Sequence, residues 1–239
     1  MDKTKSKAKY NFWKQDSVDE FLSFIPPLKR SLYSKVSKII EDTESNHILD
    51  YGCGEGNQVL FLNKELNIDL YDININSAKS AYDRFKDDKV VKLVKSVSRE
   101  QKNKYDLVII NMVWMCIPSE NEIDSILGDI NLVLKDTGKA VFSMTHPCFR
   151  DKNFSYYETD YSRNKKKYNY NREGEAFEVY IRNSNKTVFQ DYHYSLQFIF
   201  KKMKEFNFNI DQLIELKDEG FKEKVNLNYP PYLIISVNK

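Results

Sequence analysis

Short apolar runs alternate with amphipathic segments along most of this chain. In the amphipathic segments the apolar residues recur at intervals of three and four, as in Ile123, Ile126, Leu127 and Ile130. Alternation of this kind with short joints predicts an α/β fold, in which helices cover both faces of a doubly wound, mostly parallel sheet. The predicted strands lie at residues 47–50, 68–71, 90–94, 107–111 and 140–144, and the predicted helices at residues 58–66, 77–85 and 123–134.

Three further segments do not follow this alternation. Residues 16–40 have helical spacing that is interrupted at Pro26-Pro27, and they predict helices ahead of the sheet. Residues 135–138 predict a turn into the fifth strand. Residues 147–192 are rich in tyrosine and lack helical spacing, so they predict a cap inserted after the fifth strand.

The remainder of the chain completes the sheet. A helix is predicted from Leu196 to Phe206, and it is followed by strands at residues 208–216 and 232–237, which gives about seven strands with an antiparallel last strand. We therefore expect a single domain over residues 1–239. Its expected parts are N-terminal helices at 1–45, a core at 46–146 and 190–239, and an inserted substrate-side lobe at 147–189.

Composition excludes several classes of protein. The chain has 37 basic and 35 acidic residues and a formal net charge of +2, which fits neither a disordered polyanion nor a histone-like binder. No run approaches the roughly 18 apolar residues that cross a bilayer, and the polar amino terminus does not resemble a signal peptide. We therefore expect a soluble cytoplasmic protein without a membrane partner. The three cysteines lack metal-ligand spacing, which predicts reduced thiols and no metal site.

Glycine is scarce in the chain, and three glycines are clustered directly after the first predicted strand. There are seven glycines in 239 residues, and Gly52, Gly54 and Gly56 follow Asp50 within six positions. A chain reversal against a ligand needs residues without a Cβ, and a helix at 58–66 would add a positive N-terminal dipole. The spacing G-x-G-x-G differs from the dinucleotide loop G-x-G-x-x-G, which disfavours nicotinamide and flavin cofactors.

The string Asp-Tyr-Gly-Cys-Gly-Glu-Gly over residues 50–56 resembles the first motif of class I S-adenosylmethionine-dependent methyltransferases, whose fold is Rossmann-like. The resemblance implies that this loop, with Cys53, wraps the methionine part of S-adenosyl-L-methionine. Asp72 ends the second predicted strand, where a carboxylate can accept both ribose hydroxyls. The following Ile73 would lie against the adenine, and the product would be S-adenosyl-L-homocysteine.

Two further positions are compared with the pattern of this family. Residues 106–114 resemble its fourth motif, which implies that Asn111 and Met112 lie beside the cofactor sulfur. The amino-methylating DNA enzymes carry Asn-Pro-Pro-Tyr there, so methylation of DNA bases is disfavoured. After the third strand, Ser96 stands where the family usually has an acidic residue near the adenine amino group. Recognition of that amino group, by Ser96 or by the backbone, stays open.

The resemblance extends to a small-molecule branch of the family. The fifth strand ends in His146-Pro147, residues 191–196 resemble the branch's Tyr-His segment, and residues 230–235 resemble its closing strand. Methyl transfer is an in-line displacement, which needs a general base only when the acceptor atom carries a proton. His193 and His146 are the candidate catalytic residues, and a purely structural role for each is left open.

We expect a small-molecule acceptor that is methylated at oxygen and is phosphate-bearing or sugar-like, such as a precursor of a surface polysaccharide. Tyr192, Trp114 and Arg163 are candidate substrate-binding residues, and the basic cluster at 163–172 could hold an anionic acceptor. Two alternatives remain. An RNA methyltransferase is supported only by interleaved Tyr and Lys, so a nucleic acid partner is not expected. A cofactor-binding interaction protein without acceptor chemistry is the other, and the oligomeric state is open.

Overall fold

The computed structural model describes residues 27–153, 157–181, 188–217 and 228–239. The expected α/β architecture is confirmed in these residues. The strands are β1 (His47–Tyr51), β2 (Asn67–Tyr71), β3 (Val91–Leu93), β4 (Tyr105–Asn111), β5 (Leu134–Thr145), β6 (Tyr157–Thr159), β7 (Glu175–Ile181), β8 (Val188–His193), β9 (Asn209–Leu216) and β10 (Tyr232–Asn238). The helices are α1 (Pro27–Glu41), α2 (Ile75–Phe85), α3 (Glu120–Val133), α4 (Asp160–Arg163) and α5 (Leu196–Glu205).

Seven strands form the main sheet in the order β3-β2-β1-β4-β5-β10-β9. The pairs from β3 to β5 are parallel, whereas β10 is antiparallel to both β5 and β9. The expected antiparallel last strand is therefore confirmed. Strand order reverses between β1 and β4, and in open α/β sheets this switch point at the carboxyl ends of the strands is where ligands bind.

Helices bury both faces of this sheet, because neighbouring strand residues point in opposite directions. In β1, Leu49 packs in a core with α3 and α5, and Ile48 packs in the opposite core with α1 and α2. Side-chain caps set the starts of the helices: Ser119 accepts from the N–H of Glu122 at α3, and Ser195 accepts from the N–H of Phe198 at α5. Among the described residues, no helix is long and apolar enough to cross a bilayer.

The expected helix at residues 58–66 is wrong, because the structure has only a short 3-10 turn at Val59–Phe61. The polar Gln58 points inward, where its Nε2 donates to Ser37 Oγ at 2.7 Å and its Oε1 accepts from Asn111 Nδ2 at 2.7 Å. Leu60 is 46% exposed, so the segment has no continuous apolar face. No α-helix follows the glycine loop, and the argument from a helix dipole does not apply there.

The expected turn at residues 135–138 is also wrong. These residues belong to β5, which begins at Leu134 opposite Tyr105 of β4. The next registered pair is Leu107 with Lys139, so the extra residues form an irregular stretch within the strand. The chain continues alongside β4 instead of reversing. The helices expected from residue 16 lie in part outside the described residues, and α1 begins at the predicted break.

The segment after β5 forms a lobe with a sheet of its own, in the strand order β6-β7-β8. All its pairings are antiparallel, and Phe177 of β7 lies opposite Asp191 of β8. The short helix α4 follows β6, where the hydroxyl of Thr159 accepts from the N–H of Ser162. An inserted cap was expected here, but strands were not. The lobe packs beside the main sheet, since β8 contacts the 3-10 turn Trp114–Cys116.

Candidate functional site

A cavity of about 380 Å³ opens at the carboxyl ends of β1, β2 and β4, next to the switch point of the sheet. It lies in the size range of small-molecule sites. Its walls come from the glycine loop, the residues after β2 and β4, and one side each of α1 and α3. The predicted cofactor residues that line it are Asp50, Gly52, Cys53, Gly54, Asp72, Ile73, Asn111 and Met112.

The glycine loop wraps the floor of this cavity in a conformation that L-residues rarely adopt. Gly52 has a φ of +80°, and a Cβ built on it would lie 2.4 Å from Val113 Cγ2. Gly54 has a φ of +51°, and a Cβ there would meet no atom within 4 Å. The N–H groups of Gly52 and Cys53 both donate to the carbonyl of Tyr71, at 2.7 and 3.0 Å. The loop is thus fixed to the end of β2, and its open side leaves backbone within reach of a ligand.

Two carboxylates stand on the same side of the cavity. Asp50 is 1% exposed, and its Oδ2 has no hydrogen-bond partner among the described residues. Burial, and then the charge of Asp72, raises the pKa of Asp50 to about 7. Asp72 accepts from the N–H groups of Gly54 and Asn74, each at 2.8 Å. Burial raises the pKa of Asp72, and these two hydrogen bonds reduce that rise. A bound cation would provide the partner that Asp50 lacks.

The end of β4 is held by side-chain hydrogen bonds. Asn111 donates to Gln58 Oε1 at 2.7 Å and accepts from Ser143 Oγ at 2.8 Å. Met112 has a φ of +58° and donates its N–H to the carbonyl of Ser143 at 2.8 Å. A positive φ at a residue other than glycine is strained and persists only where the surroundings impose it. These contacts fix the cavity wall that lies against the glycine loop.

Two predicted cofactor residues do not line the cavity. Ser96 is exposed, and its carbonyl accepts from Gln101 Nε2 at 3.1 Å in the turn that leaves β3. Ser96 therefore lies outside the cavity wall, and its contact with adenine stays a prediction. Gly56 has a φ of +72°, and a Cβ there would lie 2.9 Å from Phe85 and 3.1 Å from Ala81. The third glycine thus permits the close packing of α2 against the loop and does not face a ligand.

Neither candidate catalytic histidine lines the cavity, contrary to the expectation. His193 is buried, and its Nε2–H donates to the carbonyl of Tyr170 at 2.7 Å. His146 is buried with Nε2 2.9 Å from Glu215, while its Nδ1 accepts from the N–H of Cys148. Burial lowers the pKa of both imidazoles. Their placement corresponds to the structural role that the sequence left open.

The candidate substrate-binding residues also lie elsewhere. Tyr192 and Trp114 are buried in the apolar core with residues of α3 and α5 and do not line the cavity. Arg163 is exposed on the lobe, where its guanidinium lies 4.6 Å from the ring centre of Tyr180. None of the three residues lines the cavity, so they are not carried into the proposals below.

Other residues that sequence analysis missed do line the cavity. Lys29 and Tyr33 project from α1, and Cys116 and Ile117 lie at the end of the turn after β4. Helix α3 contributes one stripe at the spacing of successive turns, Glu122, Ser125, Ile126 and Asp129. The hydroxyl of Tyr51 donates to Asp129 Oδ2 at 3.3 Å. The three-and-four spacing that predicts α3 also places these four side chains on one side of the helix. The sequence prediction used that spacing only for the apolar residues.

Several known proteins are similar to this chain. The family model described as a methyltransferase domain matches residues 21–213. None of the curated proteins compared matches the chain. A structure from Listeria monocytogenes, assigned to S-adenosylmethionine-dependent methyltransferases, is 20% identical with a TM-score of 0.63, and the match covers 87% of this chain and 99% of the other.

Two further solved structures cover nearly the whole of this chain. The N-methyltransferase NodS of Bradyrhizobium japonicum, in complex with S-adenosylhomocysteine, is 10% identical with a TM-score of 0.58, and the match covers 99% of this chain and 97% of NodS. The 1,6-didemethyltoxoflavin-N1-methyltransferase of Burkholderia thailandensis is 12% identical with a TM-score of 0.56, and the match covers 99% of this chain and 86% of that protein. At these identities the likeness shows a shared fold.

Proposed function

The chain belongs to a family of methyltransferase domains, and from this membership we propose that it transfers the methyl group of S-adenosyl-L-methionine to a small-molecule acceptor bound in the cavity described above. S-Adenosyl-L-methionine supplies an activated methyl group on a positively charged sulfur. The observation that carries the proposal is the buried, unpartnered Oδ2 of Asp50 beside a glycine loop whose open side faces the cavity. An anionic group placed there suits a cofactor that carries an ammonium and a sulfonium.

Asp72 is proposed to hold the ribose. It lies at the end of β2 in the cavity wall, and backbone N–H groups of Gly54 and Asn74 fix its carboxylate. Each carboxylate oxygen can accept more than one hydrogen bond, so both can also receive a hydroxyl. Gly54 therefore links the methionine end of the site to its ribose end.

Asp72→Ala is expected to weaken S-adenosylhomocysteine binding by about 1–3 kcal/mol, since the ribose hydroxyls would be buried without acceptors. Isothermal titration calorimetry on the full chain measures this loss. Asp83→Ala removes an aspartate that is 64% exposed on α2, and it is the control. Unchanged affinity in the Asp72 variant would refute the assignment.

Asp129 on α3 is proposed to receive the adenine amino group, in place of the exposed Ser96. Asp129 lies in the cavity wall one turn beyond Ile126, and Tyr51 fixes its Oδ2. Burial raises the pKa of Asp129, although the hydrogen bond from Tyr51 lowers it. Its second oxygen can then accept from the exocyclic N–H of adenine.

Asp129→Asn is expected to weaken S-adenosylhomocysteine binding about tenfold and to shift preference toward S-inosylhomocysteine. The asparagine can still accept from Tyr51, but its amide donates where the carboxylate accepted, and inosine carries an oxygen in place of the amino group. Competition of the two compounds in one calorimetric experiment gives the ratio of affinities. An unchanged ratio in the variant, with Asp83→Asn as the control, would exclude Asp129 as the adenine contact.

The acceptor is proposed to be phosphate-bearing or sugar-like and to be methylated at oxygen. An oxygen lone pair forms the new bond to the methyl carbon as the carbon–sulfur pair returns to sulfur, which leaves the neutral thioether of S-adenosylhomocysteine. The described cavity lacks histidine, which favours an oxygen that is already anionic and needs no base. Incubation of the full chain with S-adenosylmethionine and a panel of sugar phosphates tests this: a methylated product supports it, and methylation of amines alone refutes it.

We further propose that residues 1–239 form one domain, with the lobe at 147–189 on the acceptor side. The lobe's Tyr157 lies 5.8 Å from Lys29 Nζ, measured to the ring centre, and Lys29 lines the cavity. Such a contact between lobe and cavity wall favours one cooperative unit. A single transition in thermal unfolding would agree with this, whereas two transitions would contradict it.

A further inference from the structure

One face of the three-stranded sheet in the lobe is buried inside the protein. Because side chains alternate along a strand, the described register places one set of side chains on the same face. Its buried members are Tyr157, Thr159, Phe177, Val179, Asp191 and His193. The face carries two carboxylates: Glu175, at the end of β7, lies 3.7 Å from Lys166 Nζ, whereas Asp191 lies among the buried side chains. Asp191 is 2% exposed, and its Oδ1 has no hydrogen-bond partner among the described residues.

A second charged side chain lies against the same face. Arg150 follows the turn after β5 and is 3% exposed. Its guanidinium lies 5.3 Å from the ring centre of Phe177, which is the cross-strand neighbour of Asp191. Arg150 Nε and Nη1 have no hydrogen-bond partner in the described part of the chain. The opposite charges of Arg150 and Asp191 attract each other, but these buried donors and this carboxylate oxygen form no hydrogen bond among the described residues, which is costly unless a ligand completes the group.

This group lies behind the part of the cavity wall that Lys29 and Cys116 form. Lys29 lines the cavity and contacts Tyr157 of the buried lobe face. Cys116 also lines the cavity, and its turn packs directly on β8, the strand that carries Asp191. Burial, and then the charge of Asp191, raises the pKa of the Cys116 thiol. The cavity wall is therefore a single layer of side chains away from Arg150 and Asp191.

We propose that Arg150 and Lys29 form an oxyanion subsite for the acceptor, in which they bind a phosphate or carboxylate group while Asp191 accepts from an adjacent hydroxyl. This inference rests on the proposed function and adds the group by which the acceptor is recognised. A guanidinium offers paired N–H donors that match two oxygens of such an anion. Phe177 supports the flat face of Arg150, and the alternating charges would orient an acceptor that carries both an anion and a hydroxyl.

The test uses the full chain saturated with S-adenosylhomocysteine, and inorganic phosphate and acetate are the probes in separate ligand-observed NMR titrations. Arg150→Gln is expected to weaken binding of the recognised probe tenfold or more, about the value of a lost charge-assisted pair. Lys29→Gln should weaken it several-fold. Arg30→Gln changes an exposed arginine one position along α1 and should leave the affinity within about twofold.

Each outcome is informative. Binding of phosphate alone identifies a phosphoryl acceptor, binding of acetate alone identifies a carboxylate acceptor, and binding of both supports the oxyanion site. Binding of neither probe overturns the inference, as does binding that survives both Arg150→Gln and Lys29→Gln. If Arg150→Gln does not fold, Lys29→Gln decides. Failure of the wild-type chain to bind S-adenosylhomocysteine would refute the proposed function, whereas cofactor binding without probe binding would refute this inference alone.

Discussion

Asp50→Asn is expected to stabilise the cofactor-free protein and at the same time to remove most of its affinity for S-adenosylmethionine. The stabilisation follows from the pKa of about 7 that burial and Asp72 impose on Asp50. An unfolded aspartate has a pKa of about 3.9, so the folded state holds the proton more tightly. The free energy of unfolding therefore falls as pH rises from about 4 to 7, because the unfolded aspartate ionises first. Above about pH 7 the folded state carries the full cost of a buried charge at Asp50. Asparagine is neutral and escapes the penalty.

Loss of affinity follows from the same carboxylate. In the wild-type protein, a bound ammonium or sulfonium would favour the ionised form of Asp50 and lower its pKa. The affinity for S-adenosylmethionine should therefore rise with pH until about pH 7 and then level off. Removal of a buried charge partner costs about 1.5–3 kcal/mol, so Asp50→Asn should bind roughly ten to a hundred times more weakly. The pH dependence of S-adenosylmethionine affinity that Asp50 causes should be absent in Asp50→Asn.

Thermal unfolding and calorimetry at about pH 6 and pH 8 separate these effects. At about pH 8, Asp50→Asn should raise the unfolding midpoint of the free protein by a few degrees, at about 2–4 °C for each kcal/mol in a chain of this size. Asp83→Asn, at an exposed position, should change neither quantity. A lower midpoint in Asp50→Asn, or wild-type affinity for the cofactor, would contradict the assignment of Asp50.

The glycine loop and the carboxylates beside it could be predicted from the sequence, because their signal is in the backbone. Positive φ at Gly52 and Gly54 restricts these positions to glycine, and a carboxylate at the end of a strand has a fixed place at the edge of a sheet. Asp50 and Asp72 were placed correctly beside the loop by this local pattern. Gly56 follows the same pattern, yet it faces Phe85 of α2. Spacing therefore predicted the conformation of the loop but not which of its glycines line the cavity.

The acceptor half could not be predicted, because it depends on which strand face a residue occupies. Residues 147–192 lack helical spacing and predict only an inserted cap, so β8 was not expected. Tyr192 and His193 became candidates through the resemblance of residues 191–196 and through their side-chain chemistry. In the structure, alternation along β8 places Asp191 and His193 on the buried lobe face and Tyr192 in the core beside α3. Arg150 lies against that face because of the turn after β5, and no local sequence pattern indicates the direction of that turn.

Gly52→Ala is expected to have the second large effect, since it changes both the backbone and the packing of the cofactor loop. The added Cβ would lie 2.4 Å from Val113 Cγ2 at a φ of +80°. Val113 follows the strained Met112 in the cavity wall, so it can move only if that wall also moves. A left-handed residue other than glycine costs about 1–3 kcal/mol, and displacement of the wall adds to the loss.

We therefore expect Gly52→Ala to lower the free energy of unfolding by at least about 1–3 kcal/mol and to weaken S-adenosylhomocysteine binding more than tenfold. Gly128→Ala is the matched control, because Gly128 lies within α3 and the nearest atom to its added Cβ is Phe206 Cε1 at 3.7 Å. There alanine should stabilise the helix by about 0.5–1 kcal/mol and leave binding unchanged. Urea unfolding and calorimetry on both variants make the comparison. Equal affinity in the two variants would show that the loop can relax around Val113, and that its close approach to the β4 wall does not shape the cofactor site.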